Sequence, residues 1–142
     1  MSLSTENLSV LESILAKLRT VYVDKFKHLD RSSDKGPDVS TLGYIFFDEN
    51  YSYEIGREIR YSTPDIYFVE VKKRPKDSSD RPIFQYKTNH SNDSINFHSI
   101  RELYTNIDTE RRRWEKEVKQ YQENEKKNQF QSDLDKFKKH LG

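Results

Sequence analysis

The sequence predicts an α+β domain, in which an antiparallel meander of four or five strands is flanked by a long N-terminal helix and one or two C-terminal helices. Residues 51–61 alternate apolar and polar side chains, which is the period of a strand with one buried face. Residues 66–74 are rich in β-branched and aromatic side chains, which strands favour. Both ends of the chain repeat apolar residues every three or four positions, as amphipathic helices do. We expect one domain of 142 residues, with the helices packed on one face of the sheet.

The N-terminal helix is predicted over residues 5–29. Ser4 and Thr5 are residue types that cap a helix at its start. An apolar stripe with helical spacing follows, and it consists of Leu8, Leu11, Ile14, Leu15, Leu18, Tyr22, Phe26 and Leu29. The polar residues 31–38, which include a Gly-Pro pair, predict a loop after this helix.

The strands are predicted over residues 41–47, 51–61, 66–74 and 83–88. Short polar segments separate the first three, and a longer polar segment precedes the last. Consecutive strands with short connections favour antiparallel pairing. Residues 95–97 are a candidate for a short fifth strand.

The C-terminal region predicts a helix over residues 100–122, since Ser99 and Glu102 match a capping box. The apolar stripe of this helix lapses across residues 123–128. It resumes at Phe130, Leu134, Phe137 and Leu141, which predicts a short helix over residues 130–140. One long helix that frays between the two stripes is the alternative.

Composition restricts the classes of function. The chain has no Cys, which excludes disulfides, thiolate catalysis and Cys-based zinc sites. It has no glycine-rich phosphate loop and no Gly-x-Ser-x-Gly motif, so we predict no cofactor. We see neither a signal peptide nor an apolar run of about 18 residues, and we therefore expect a cytoplasmic or nuclear protein without a membrane partner.

Residues Pro64 and Asp65, followed by Glu70, Val71 and Lys72, resemble the PD-(D/E)xK signature of a nuclease superfamily. In that family two carboxylates hold a divalent metal ion, and the lysine helps to position the attacking water. The resemblance therefore implies metal-assisted phosphodiester hydrolysis. In the family the Asp and the Glu-x-Lys sit on different strands, whereas here only four residues separate the Asp from the Glu.

A different carboxylate could complete this candidate catalytic site. If Tyr61 pairs with Tyr67 across the turn, Glu58 lies opposite Glu70, and Lys72 points to the same face. A slip of one residue in the register removes this arrangement. The alternative interpretation is that the three charged side chains form the solvated face of a sheet.

Clustered basic residues suggest an alternative function in nucleic-acid binding, in which cations contact phosphates and aromatic rings stack on bases. The candidates are Lys72, Lys73, Arg74, Lys76, Arg81, Arg111, Arg112 and Arg113. The last three precede Trp114 on a predicted helix. Glu110 and Glu115 lie at helical spacings from these arginines, so ion pairs within the helix are the alternative.

The predicted function is a non-catalytic binding or adaptor module that acts through protein–protein contacts. The residues expected at the interface are Phe130, Leu134, Phe137 and Leu141. They follow a polar break and form an amphipathic stripe, which another protein or a second copy of the chain could cover. Docking of this segment on its own domain is the alternative.

Overall fold

A computed structural model describes residues 3–30, 39–60, 64–74, 81–91 and 93–142. The elements in chain order are α1 (Thr5–Arg19), a 3₁₀ turn (Val23–Lys25), β1 (Lys27–Asp30), β2 (Val39–Phe47), β3 (Tyr51–Arg60), β4 (Ile66–Lys73), β5 (Pro82–Thr88) and α2 (Ser94–Leu141). The predicted α+β class, an antiparallel sheet with a helix at each end of the chain, is confirmed.

The five strands form one antiparallel sheet in the order of the sequence, β1-β2-β3-β4-β5. One row of paired residues runs across four strands, and it consists of Tyr44, Ile55, Val69 and Tyr86. Side chains alternate between the faces of a strand, so all residues of this row point to the same side. A register shift between Val71 and Lys72 interrupts the pairing of β4 with β5.

The hydrophobic core combines that side of the sheet with both helices. Leu11, Leu15 and Leu18 of α1 and Ile100, Leu103 and Ile107 of α2 belong to the same buried cluster as the row across the sheet. Aromatic rings fill much of it: the ring centroids of Tyr67 and Phe97 lie 5.2 Å apart, in an edge-to-face contact. A chain with only 32% hydrophobic residues thus fills its core with large rings.

The prediction for the N-terminal helix was wrong at its C-terminal end. The helix ends at Arg19 and not at residue 29, and the hydroxyl of Thr20 donates to the carbonyl of Lys17 at 2.7 Å. Residues 27–30 form the edge strand β1, in which Leu29 pairs with Gly43 of β2. The helical spacing of Phe26 was misleading, since this residue enters the core from the short link before β1.

Of the two arrangements expected for the C-terminal region, the single long helix is the one observed, because Ser94–Leu141 forms one continuous helix of 48 residues. The division into helices over residues 100–122 and 130–140 was wrong. Residues 95–97 form the first turn of α2 and not a fifth strand. The polar residues 123–128 interrupt the apolar stripe, but Glu and Lys are good helix formers, so the backbone continues.

The start of α2 differs from the predicted capping box. Asp93 is the N-cap, and its carboxylate accepts a hydrogen bond from the backbone N–H of Asn96 at 3.3 Å. The hydroxyl of Ser99 instead donates to the carbonyl of Ile95 inside the helix. The same carboxylate of Asp93 accepts a hydrogen bond from the Tyr86 hydroxyl at 2.6 Å, so the cap also ties α2 to β5.

Two glycines allow β2 and β3 to approach closely. Gly43 and Gly56 pair directly across the two strands. A Cβ on Gly56 would lie 2.3 Å from the carbonyl oxygen of Leu42, and one on Gly43 would lie 2.4 Å from that of Ile55. Both distances are shorter than any real Cβ contact, so a side chain at either position would push the strands apart.

Candidate functional site

The sheet face turned away from the hydrophobic core, here called the outer face, carries buried charge. Glu54 and Glu58 of β3 both have 1% of their surface exposed. Phe68 pairs with Gly56 on this face and is buried, yet it does not belong to the core cluster that contains the helices. The outer face therefore excludes water from its centre, which the alternation of charged residues in β3 did not predict.

Two cations neutralise Glu58. Its carboxylate lies 2.9 Å from Nζ of Lys87 on β5 and 3.0 Å from a guanidinium nitrogen of Arg60. A buried carboxylate without a cation nearby would lose much free energy of solvation, and these ion pairs offset part of that cost.

The structure does not bring Glu58 and Glu70 together. The pairing of Tyr61 with Tyr67, on which that arrangement depended, does not form, because Tyr67 pairs with Arg57. Glu70 lies opposite Glu54 of β3. Glu58 lies four residues after Glu54 on the same strand, which is a distance of about 13 Å along β3.

The other residues of the nuclease resemblance are also dispersed. Lys72 lies on the outer face opposite Ser52, and Asp65 contacts Arg57 at 3.4 Å. Among the described residues, no group of three or more His, Asp or Glu side chains could hold a metal ion. The catalytic prediction stays a prediction, without a cluster of carboxylates to support it.

The three consecutive arginines of α2 are all paired within the domain. Ion pairs join Arg111 to Glu115 at 2.8 Å, Arg112 to Asp108 at 3.1 Å and Arg113 to Glu110 at 3.2 Å. These pairs at helical spacing match the alternative interpretation of the sequence. Arg111 also stacks on the ring of Trp114 at 4.5 Å.

The remaining basic candidates gather at one end of the sheet. Lys72 and Lys73 end β4, Arg74 follows them, and Arg81 directly precedes β5. The pairing of Lys72 with Pro82 brings the two segments side by side. Lys76 lies outside the described residues.

The long helix α2 leaves the sheet. Its buried residues end at Ile107, and Trp114 and Val118 are only half-buried. Residues 119–141, here called the projecting segment, contain no buried residue. At 1.5 Å per residue the whole helix is about 72 Å long, and the projecting segment accounts for about 34 Å of it.

The predicted interface residues lie on this projecting segment. Phe130, Phe137 and Leu141 are exposed to 69%, 54% and 70%, and Leu134 is half-buried. At about 100° per residue, their stripe lies about 130° around the helix from the stripe that packs on the sheet. The projecting stripe is therefore a separate surface and not a continuation of the core.

A polar network that the sequence did not predict holds α2 at its point of departure. A hydrogen bond joins the hydroxyl of Tyr44 on β2 to Asp108 at 2.6 Å. Burial and this hydrogen bond raise the pKa of Tyr44, which keeps the hydroxyl protonated as a donor. The signal was hidden because the residues are 64 positions apart in the sequence.

A second polar contact joins α2 to the edge strand β1. His28 of β1 lies within hydrogen-bond distance of Glu115, which also accepts a hydrogen bond from Arg111. These two hydrogen bonds hold the pKa of Glu115 below its usual value. The first half of α2 is thus fixed against β1 and β2, and the direction of the projecting segment is fixed with it.

Comparison of the chain with protein-family models, with curated proteins and with solved structures gave no match. Within the described ranges, no helix has the length and apolar character to cross a membrane.

Proposed function

We propose that this protein is a non-catalytic binding module that associates with a second copy of itself through the projecting segment of α2. The observation that carries the proposal is an exposed apolar stripe on a helix that has already left its own core. Each Å² of apolar surface removed from water contributes about 25 cal/mol, so covering this stripe is favourable.

The spacing of the stripe points to a helical partner. Phe130, Leu134, Phe137 and Leu141 follow one another at intervals of four, three and four residues, as the d and a positions of a coiled coil do. The partner must then present a helix with the same spacing. A second copy of the chain offers one of the same length.

The charges beside the stripe favour a parallel pair. Asp133 takes a g position and Lys138 takes the e position five residues later. In a parallel pair each g residue faces that e residue of the other helix, so two Asp133–Lys138 contacts form by symmetry. An antiparallel pair would place Asp133 near His140 of the second copy and would leave Lys138 near Gln131.

The geometry leaves room for the second helix. Because the projecting stripe lies about 130° from the face that packs on the sheet, the two globular parts would sit on the outer sides of the pair. Four core layers are fewer than an interface of standard size, which buries about 1,600 Å², so we expect a weak dimer with a Kd between about 1 µM and 1 mM.

The test is the molar mass in solution, measured by light scattering or sedimentation over this concentration range. We expect the mass to rise from 17.0 kDa towards twice that value as concentration increases. The double variant Leu134→Gln with Phe137→Gln should stay at the lower mass. Tyr121→Gln is the matched control, because Tyr121 is 67% exposed on the same segment but lies outside the stripe.

Two results would contradict this proposal. One is a wild-type protein that remains a monomer at the highest concentration. The other is a dimer that persists in the Leu134→Gln, Phe137→Gln variant, since another surface would then hold the two copies together.

A further inference from the structure

A basic pocket lies where β1 begins and where β2 and β4 end. It has a volume of about 330 Å³ and is lined by Lys25, Lys27, Phe46, Phe47 and Arg74. Three of these side chains are cationic, two are aromatic, and none is acidic. The pocket therefore concentrates positive charge around an apolar wall.

Aromatic and backbone groups hold the cations in place. The guanidinium carbon of Arg74 lies 4.7 Å from the ring centroid of Phe47, and Nη1 of Arg74 donates to the carbonyl of Asp48 at 2.8 Å. Nζ of Lys27 lies 5.5 Å from the centroid of the same ring. Cation–π contacts position a charge without cancelling it, so these cations keep the ability to bind an anion.

The carboxylate of Asp48, which lies next to the basic pocket, bonds to groups outside the pocket. Asp48 accepts hydrogen bonds from the backbone N–H groups of Asn50 and Tyr51 and from the hydroxyl of Tyr53, at 2.7–2.8 Å. It also lies 3.6 Å from Nζ of Lys17 on α1. Its side chain closes the turn between β2 and β3 and faces these donors, so within the described part of the chain Asp48 does not neutralise the cations that line the basic pocket.

We propose that the basic pocket binds a phosphate group, carried by a nucleotide or by a strand of nucleic acid. A guanidinium fork matches the geometry of phosphate oxygens, and two further lysines suit a ligand with more than one negative charge. The rings of Phe46 and Phe47 offer an apolar wall for a nucleobase beside that phosphate. A volume of this size lies within the range of small-molecule sites, which begins at about 300 Å³.

Neighbouring charges extend the pocket along one end of the sheet. Lys72, Lys73 and Arg81 lie at this same end. They could follow a phosphate backbone beyond the pocket, which a single nucleotide could not use. The proposal does not depend on self-association, because the pocket and the projecting segment are formed by different parts of the chain.

The test is an amide-resolved NMR titration of the full chain at low ionic strength, with inorganic phosphate, AMP and an oligothymidylate as separate probes. We expect saturable shifts at Lys25, Lys27, Phe47 and Arg74. The double variant Lys27→Gln with Arg74→Gln should weaken binding by about tenfold or more. The control is Lys116→Gln with Lys119→Gln, which removes the same charge from an exposed part of α2.

The probes distinguish the two sources of the phosphate. If the oligothymidylate binds more tightly than AMP and its affinity falls steeply with salt, the ligand is a nucleic-acid strand. If AMP binds as tightly as the oligothymidylate, the ligand is a nucleotide. The absence of saturable shifts with all three probes would overturn the proposal, and so would equal losses in the pocket variant and the control.

Discussion

At the scale of single residues, the close approach of β2 and β3 depends on the absence of two side chains. Gly43 and Gly56 face each other in the middle of the sheet, where both strands are paired on each side. Strand interiors disfavour glycine, because it has no side chain to pack and loses more chain entropy on folding. Glycine occupies both paired positions because a Cβ at either one would disrupt the close contact between the two backbones.

We predict that Gly56→Ala lowers the free energy of unfolding by about 1–3 kcal/mol, as overpacking in a well-packed interior does. The reason is that the new Cβ would lie 2.3 Å from the carbonyl oxygen of Leu42, so β2 and β3 must separate. Urea denaturation measures the change. Gln85→Ala, at an exposed position of β5, should change the same quantity by less than about 0.5 kcal/mol. If Gly56→Ala lowers the free energy of unfolding by no more than this control does, the strands can separate at little cost.

At the scale of elements, α2 is one helix with two environments. Its first part is capped by Asp93 and tied to β5, to β2 through Tyr44 and to β1 through His28. Its last 23 residues contact none of these strands closely enough to be buried. Most helical stability in proteins comes from packing against other elements, so the anchored part helps to hold the first turns of the projecting segment in helical geometry.

The N-cap of α2 makes stability depend on pH. The hydrogen bond from the Tyr86 hydroxyl, followed by that from the Asn96 side chain, lowers the pKa of Asp93 against the opposing effect of burial. A lowered pKa means that the unfolded state binds the proton more tightly than the folded state does. The stabilisation by the Asp93 carboxylate is therefore complete above the ordinary Asp pKa of about 3.9, and it is lost as the pH falls through the lower value of the folded protein.

We predict that Asp93→Asn lowers the free energy of unfolding by about 1 kcal/mol at pH 7, because a charged acceptor is replaced by a neutral one that still caps the helix. The difference between the wild type and this variant should shrink at pH 3, because below the ordinary Asp pKa of about 3.9 the unfolded wild type takes up a proton that the folded state binds less tightly. Urea denaturation at the two pH values measures it. A difference that is equal at both values would mean that the carboxylate charge contributes nothing to the cap.

At the scale of the whole molecule, the orientation of two copies decides where their globular parts and their basic pockets lie. A parallel pair brings the C-terminal ends of the two α2 helices together. Both sheets then lie at the N-terminal end of the pair. An antiparallel pair of the same stripes would separate the two Leu141 residues by about 17 Å, since the first and last residues of the stripe are 11 positions apart at 1.5 Å each.

We predict that Leu141→Cys forms a disulfide-linked dimer under mild oxidation, because a parallel pair places the two a positions face to face, within reach of the roughly 2 Å sulfur–sulfur bond. The natural chain has no Cys, so the introduced thiol reacts without competition. Non-reducing electrophoresis measures the fraction of linked dimer. Tyr121→Cys is the control thiol, because it lies outside the stripe. Equal linking of the two variants would argue against the parallel orientation.

Most of the sheet could be predicted from the sequence because its strands repeat with a period of two. The edge strand β1 could not, since Lys27–Asp30 is too short to show that period and follows a run with helical spacing. The register of β3 with β4 differs by four residues from the one that the candidate catalytic site required. An even shift leaves every side chain on its face, so the hydrophobic pattern cannot distinguish the two registers.

The surfaces were predictable to different degrees. Phe130 and Phe137 were identified because a helical stripe beyond a polar break is visible in the sequence itself. The basic pocket could not be identified from the sequence, although Arg74 was a candidate for nucleic-acid binding. Lys27 and Phe47 lie on different strands, which come together only in the folded sheet. The pairing of Arg111–Arg113 follows from helical spacing, whereas the contact of His28 with Glu115 spans 87 positions and has no local signal.

The helix that runs beyond the sheet also determines how the molecule moves through water. A compact chain of 142 residues would have a radius of gyration of about 15 Å, whereas a rod as long as α2 has one of about 21 Å by itself. The monomer should therefore diffuse more slowly than its mass implies and elute early from a sizing column, where it would resemble a dimer. It should also tumble anisotropically, with rotation about the axis of α2 faster than end-over-end rotation. Amide groups that point along this axis would then show longer rotational correlation times than those across it.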